Sequence, residues 1–167
     1  MSVATRKLAI ATTLAAGALT LAAPAATFAD AGHRHFKFGT PGKAKRVTRV
    51  VRLQASDVKF DVKTLRFRVG ETVKFVITNA GEGDHEMTIG DAATQRAHRK
   101  EMEKAMENGG MMHHGHGHPN AAYLKPGVTR SLVWRFTKPG TFEFGCNIPG
   151  HYEAGMKGKI IVSGRNG

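Results

Sequence analysis

The stretch Cys146-Asn147-Ile148-Pro149-Gly150-His151-Tyr152-Glu153-Ala154-Gly155-Met156 spaces a thiol, an imidazole and a thioether as Cys-x4-His-x4-Met. Pro149, Gly150 and Gly155 mark it as a single loop. Just upstream, Thr141-Phe142-Glu143-Phe144-Gly145 places Phe142, Phe144 and Cys146 at i, i+2 and i+4, on one apolar face of a strand. The thiol therefore stands at the end of a core strand, where the loop can fold its other donors back.

Working outward, the chain reads as short strands separated by turns. Val47 to Leu53 is β-branched and basic, and Thr64 to Val69 alternates with period two before Gly70 breaks the run. Thr72 to Thr78 puts Val73, Phe75 and Ile77 on one face. A turn from Asn79 to Asp84 leads to His85–Ile89; Leu132, Trp134 and Phe136 face inward from Ser131–Phe136; Lys159–Val162 closes the set. Strands at this spacing, with Gly, Pro and Asn turns, predict an all-β, antiparallel β-sandwich. One insertion interrupts it, residues 91–120. Ala92–Glu107 has helix-favouring composition without Pro or Gly, and Gly109-Gly110 stops it. A Met/His-rich tract follows.

The donor set defines the chemistry. Two imidazoles and a thiolate with a weak thioether form an electron-transfer copper site, because soft sulfur suits Cu(I) and imidazole suits both oxidation states. Zinc sites take several Cys or His, or carboxylates with an open position, and a thioether serves zinc poorly. The second imidazole must come from a neighbouring strand. His85, which follows a Gly-bearing turn and opens a short strand, is the natural candidate.

On these residues the chain resembles the cupredoxin family, from about Val47 to Ser163. The Cys-to-His loop is similar to that of rusticyanin. Asn79–Ile89, the helical insertion and Gly145–Gly158 resemble bacterial periplasmic cupredoxins associated with copper tolerance. The resemblance implies a Greek-key sandwich with one type 1 copper ion near one end, His85 and His151 as imidazole ligands, Cys146 as thiolate and Met156 as axial ligand. It also implies that His151 is the electron port. One position departs from the pattern. Many small cupredoxins place Asn after the first His ligand, where it braces the Cys strand; this chain has Glu86 there. The brace, and with it redox potential and colour, is put in question.

The ends of the chain read differently. Arg6 and Lys7, the apolar run Leu8–Ala22 and the small-residue exit at Thr27-Phe28-Ala29 form a secretory signal over residues 1–29. The run is shorter than the roughly 20 residues of a membrane span, so no transmembrane segment is expected after cleavage. Export points to the periplasm. A lone cysteine in an oxidising compartment also favours a ligand or buried thiol over a disulfide. Residues 30–46, including His33 and His35, lack apolar periodicity and are expected to be a flexible leader, with the cupredoxin domain over residues 47–164. The net charge is +12 with histidine neutral, only Arg6 and Lys7 of it from the signal. Without an aromatic-and-basic recognition motif, that charge reads as a surface for steering docking and not as a nucleic-acid interface.

Two roles remain open. A monomeric electron carrier would exchange electrons with a haem or copper protein. A copper-sequestration or tolerance protein would buffer or oxidise periplasmic copper with the same site and the Met/His-rich loop, with a copper-handling protein as partner. Met111, Met112, His113, His114, His116 and His118 form the candidate for a secondary copper site. The alternative is a solvated loop, with Met102 and Met106 packing the helix onto the sandwich. No nucleophile or paired-carboxylate spacing accompanies Asp84 and Glu86, so the chain reads as a carrier and not an enzyme.

Overall fold

A computed structural model describes residues 36–107 and 118–164, together with Met1. Strands β1 (Gly39–Pro41), β2 (Arg49–Ser56), β3 (Lys59–Phe60), β4 (Thr64–Arg68), β5 (Thr72–Asn79) and β6 (His85–Gly90) precede helix α1 (Ala92–Glu107). Strands β7 (Ala121–Leu124), β8 (Thr129–Phe136), β9 (Gly140–Gly145) and β10 (Lys157–Ser163) follow it. They form two five-stranded sheets, ordered β1-β8-β5-β2-β3 and β4-β10-β9-β6-β7. The fold is the expected β-sandwich with one helical insertion.

Most neighbours are antiparallel, but β2 runs parallel to β5 and β4 parallel to β10. The chain leaves the first sheet after β3, forms β4 in the second and returns as β5. On its return β5 lies parallel to β2. Hairpin-by-hairpin reading of the sequence does not reveal this.

The inward faces match their alternation. Val73, Phe75, Ile77, Trp134 and Phe136 are completely buried, and Leu132 nearly so. Phe67 stacks on Phe136 with ring centroids 4.9 Å apart and meets Phe75 edge-on at 5.8 Å. Phe144 and Cys146 are buried as their parity requires, while Phe142 is only partly covered.

The expected leader is corrected over its last part. Residues 39–41 pair with β8, Gly39 opposite Phe136 and Pro41 opposite Trp134. Phe38 is buried and packs on Trp134 at 5.4 Å and on Phe142 at 5.3 Å. A three-residue strand holding Gly and Pro carries no periodicity to read; the alternation Phe36-x-Phe38 was the available signal. Gly39 is required here, since a Cβ would lie 2.2 Å from Trp134 Nε1. His33 and His35 lie outside the described residues.

Strand β6 is buried along its whole length because the sandwich covers one face and α1 the other. The helix starts at Asp91, whose Oδ1 accepts bonds from Thr94 N and Oγ1, each 2.8 Å. Gln95, His98 and Met102 form its buried stripe. Met106, expected beside Met102, is instead exposed, because the stripe continues through half-buried Ala105. No helix among the described residues is long and apolar enough to cross a membrane.

Candidate metal centre

The first donor is delivered by a turn that a buried amide organises. Asn79 donates from Nδ2 to Gly83 O (2.8 Å) and Leu124 O (3.1 Å), and its Oδ1 accepts from Gly81 N (2.9 Å). His85 thereby starts β6 with its ring inside the protein, 1% exposed. Gly81 lets the turn approach that ring: a Cβ there would lie 2.9 Å from His85 Nε2.

The remaining donors sit on the loop between β9 and β10, which closes on itself. Cys146 N donates to Met156 O (3.0 Å), Met156 N to His151 O (2.9 Å) and His151 N to Ile148 O (3.0 Å). Gly150 and Gly155 occupy the left-handed region, with φ of 85° and 96°. Local chain chemistry thus folds the Cys-x4-His-x4-Met spacing into a compact ring of backbone bonds.

These elements bring His85, Cys146 and His151 together, with one donor atom from each within 4.8 Å of the others. Cys146 Sγ lies 3.4 Å from His151 Nδ1, and the two imidazole rings are 5.2 Å apart at 55°. Met156 is fully buried and tied through its backbone to both Cys146 and His151. Of the three clustered donors only His151 is partly exposed.

Both ring nitrogens of His85 are buried without a hydrogen-bond partner, the nearest carboxylate oxygen being Asp57 Oδ1 at 3.6 Å from Nε2. A buried polar atom left orphaned requires an explanation, and a metal ion supplies one. Burial, then the neighbouring His151, holds the His85 pKa below its ordinary value, which favours the neutral imidazole a metal needs. Burial pushes the Cys146 thiol up to about 12. The donor set fits copper: two nitrogens and one sulfur, with a second sulfur next to them.

A model of copper-binding proteins of the plastocyanin/azurin family matches residues 47–163. The chain belongs to that family. This cupredoxin is 42% identical over 148 residues to the copper-resistant cuproprotein CopI of Rubrivivax gelatinosus, across 80% of this chain and 86% of the relative. It is 37% identical over 148 residues to the protein of the same name from Pseudomonas aeruginosa, across 75% and 82%. The solved structure of auracyanin B shares the fold, with a TM-score of 0.63 at 24% identity over 75% of this chain and 96% of that one.

Around the cupredoxin centre, Glu86 answers the question raised by its departure from the Asn pattern. Its carboxylate is buried; Oε1 accepts from Asn147 N and from Thr88 Oγ1, both at 3.0 Å. It therefore ties the residue after Cys146 to β6. Its own backbone N donates to Cys146 Sγ at 3.4 Å. Asn147 Nδ2 donates to Gln95 Oε1 (2.8 Å), and Gln95 Nε2 to Thr88 O (2.8 Å), so α1 is bonded into the same support. Gln95 was not singled out from the sequence. A helix stripe containing two polar residues, Gln95 and His98, was the readable sign of a polar network beneath it.

The expected secondary residues divide. Met111, Met112, His113, His114 and His116 lie outside the described residues. His118 is described and stands against His98 of α1, ring centroids 4.6 Å apart.

The raised thiol pKa has a measurable consequence. A thiolate ligand must lose its proton on metal binding, and Cys146 holds that proton far above neutral pH. Copper affinity should therefore rise about tenfold per pH unit between pH 7 and 9, one proton leaving per ion. With the His85 pKa depressed, its proton adds to the slope only in acid. Competition titrations across this range check it; an affinity independent of pH would contradict ligation through Cys146.

Proposed function

We propose that this cupredoxin is exported by its segment 1–29 to the periplasm, holds one copper ion through His85, Cys146, His151 and axial Met156, and carries single electrons. The observation that carries the reading is the meeting of two imidazoles and a thiol within 4.8 Å around a buried, unpartnered His85 ring. Copper bound there supplies a one-electron couple between Cu(I) and Cu(II).

The protein's part is to position and to shield. The backbone ring of the ligand loop and the Glu86 brace fix the donors, limiting rearrangement between oxidation states. His85, Cys146 and Met156 are each at most 1% exposed, so water and substrates are kept from the ion. Partly exposed His151 offers the route for the electron. The protein acts as a carrier, not an enzyme, and as a monomer. The excess of Lys and Arg steers it toward an acidic face of a haem or copper partner.

Two relatives named as copper-resistant favour a second reading, in which the same centre buffers copper or exchanges it with copper-handling proteins. One pair of measurements separates them. Electron transfer predicts rapid bleaching of the Cu(II)-loaded full chain by a reduced haem protein, and a respiratory defect on gene deletion. A deletion strain that respires normally but is sensitive to copper, with slow reduction in vitro, would replace the first reading with the second.

A further inference from the structure

Outside the ligand loop, a second set of donors converges beneath helix α1. His98 and Glu101 are i and i+3 on the helix, and His118 comes from the segment leading into β7. One donor atom from each lies within 4.8 Å of the others. Glu101 Oε2 is 3.6 Å from His98 Nδ1 and 3.4 Å from His118 Nε2. We propose that His98, Glu101 and His118 form a second metal site, selective for Cu(II) and supported from behind by Glu86.

An independent observation points to a ligand at this place. His98 is only 4% exposed, and its Nε2 lies 3.1 Å from both carboxylate oxygens of Glu86. Nε2 donates to the Glu86 carboxylate, which fixes the orientation of the ring and turns Nδ1 toward Glu101. Nδ1 is buried, 3.6 Å from Glu101 Oε2 and beyond hydrogen-bond distance of it. Burial lowers the His98 pKa, but the Glu86 and Glu101 carboxylates outweigh it and raise it, favouring a proton on Nδ1 that a metal ion would displace. A carboxylate behind one imidazole nitrogen, with the other nitrogen turned toward further donors, is the arrangement by which proteins orient a metal-ligating histidine.

The donor chemistry selects the ion. Two imidazoles and a carboxylate suit Cu(II) or Zn(II), and of divalent first-row ions Cu(II) binds such a set most strongly. The carboxylate disfavours Cu(I), so this site would take the oxidised ion while the sulfur-rich centre takes both forms. Access exists: His98 and His118 line a surface pocket with Thr94 and Asn120. The site is distinct from the Met/His tract, sharing only His118 with it, and its donors are independent of the first centre. The two are joined structurally, because Glu86 holds His98 with its carboxylate and Cys146 Sγ with its backbone N.

The test titrates Cu(II) into the full chain already loaded with one equivalent, followed by electron paramagnetic resonance and visible absorption. The expected result is a second equivalent with an ordinary tetragonal spectrum and no new thiolate band. His118→Ala and Glu101→Gln should each weaken it by at least about 100-fold while leaving the first band in place. Changing Met111, Met112, His113, His114 and His116 together to Ala should leave it bound. Cys146→Ser should also keep it, so that failure at either centre is read separately. No second equivalent in the wild type overturns the proposal. So does one that survives both His118→Ala and Glu101→Gln, or one lost with the five-residue change.

Discussion

Replacing Cys146 by Ser abolishes the intense visible absorption of the Cu(II)-loaded protein and weakens copper binding by more than about 100-fold, beyond the loss expected for an outer-shell partner alone. The absorption belongs to charge transfer from a thiolate, and Cys146 is the chain's only thiol. A serine hydroxyl stays protonated and is a hard, weak donor for an ion whose reduced state prefers sulfur. The change is close to isosteric. The new hydroxyl could still receive the bond that Glu86 N now gives to Sγ, and the backbone bond from residue 146 to Met156 O is untouched. The apo protein should therefore keep its fold at a cost of about 1–3 kcal/mol for the buried hydroxyl. Absorption spectra and competition with a copper chelator read the outcome. A serine variant that kept the visible band would remove Cys146 from the centre, and the electron-transfer reading with it.

What the sequence discloses and what it hides follow from how far apart the cooperating residues lie. Cys146, His151 and Met156 share one loop closed by its own backbone bonds, so their spacing alone was informative. His85 is 61 residues from Cys146, but its place after a turn and before a strand made it readable. The helix bounds also followed from composition between capping Asp91 and the Gly109-Gly110 stop. The Glu86 brace was invisible for a different reason. It joins β6, α1 and the ligand loop, and such a network exists only after the helix docks on the sheet. Likewise β1 has too few residues for a period, and only its pairing with β8 makes it a strand. The parallel pairs β2–β5 and β4–β10 depend on the order in which the chain visits two sheets.

Removing the Glu86 side chain should destabilise the apo protein by about 3–5 kcal/mol, the range for breaking a buried charged partner. Glu86→Ala leaves Asn147 N–H and the His98 ring N–H buried without their acceptor. The Thr88 hydroxyl loses its acceptor too, though it can rotate toward another. Each orphaned donor costs about 1–3 kcal/mol, and the costs are not additive because the three share one carboxylate. Copper binding at the first centre should also weaken by about 10–100-fold and the visible band should move, since the residue after Cys146 is no longer tied to β6. Glu86→Gln separates geometry from charge. Its amide oxygen can still accept from Asn147 N, which preserves the brace and most of the stability. That oxygen also lies within reach of His98 Nε2, but the NH2 in place of Oε2 can no longer accept from it, and the negative charge that favours a proton-bearing Nε2 is gone. The glutamine variant should therefore retain the first centre's band and weaken the second Cu(II) by about 10–100-fold, whereas the alanine variant perturbs both. Urea unfolding of the apo proteins, with copper titration of the folded ones, measures these effects. An alanine variant as stable as the wild type would show that Asn147 and His98 find other partners, and Glu86 would then have no part in bracing either centre.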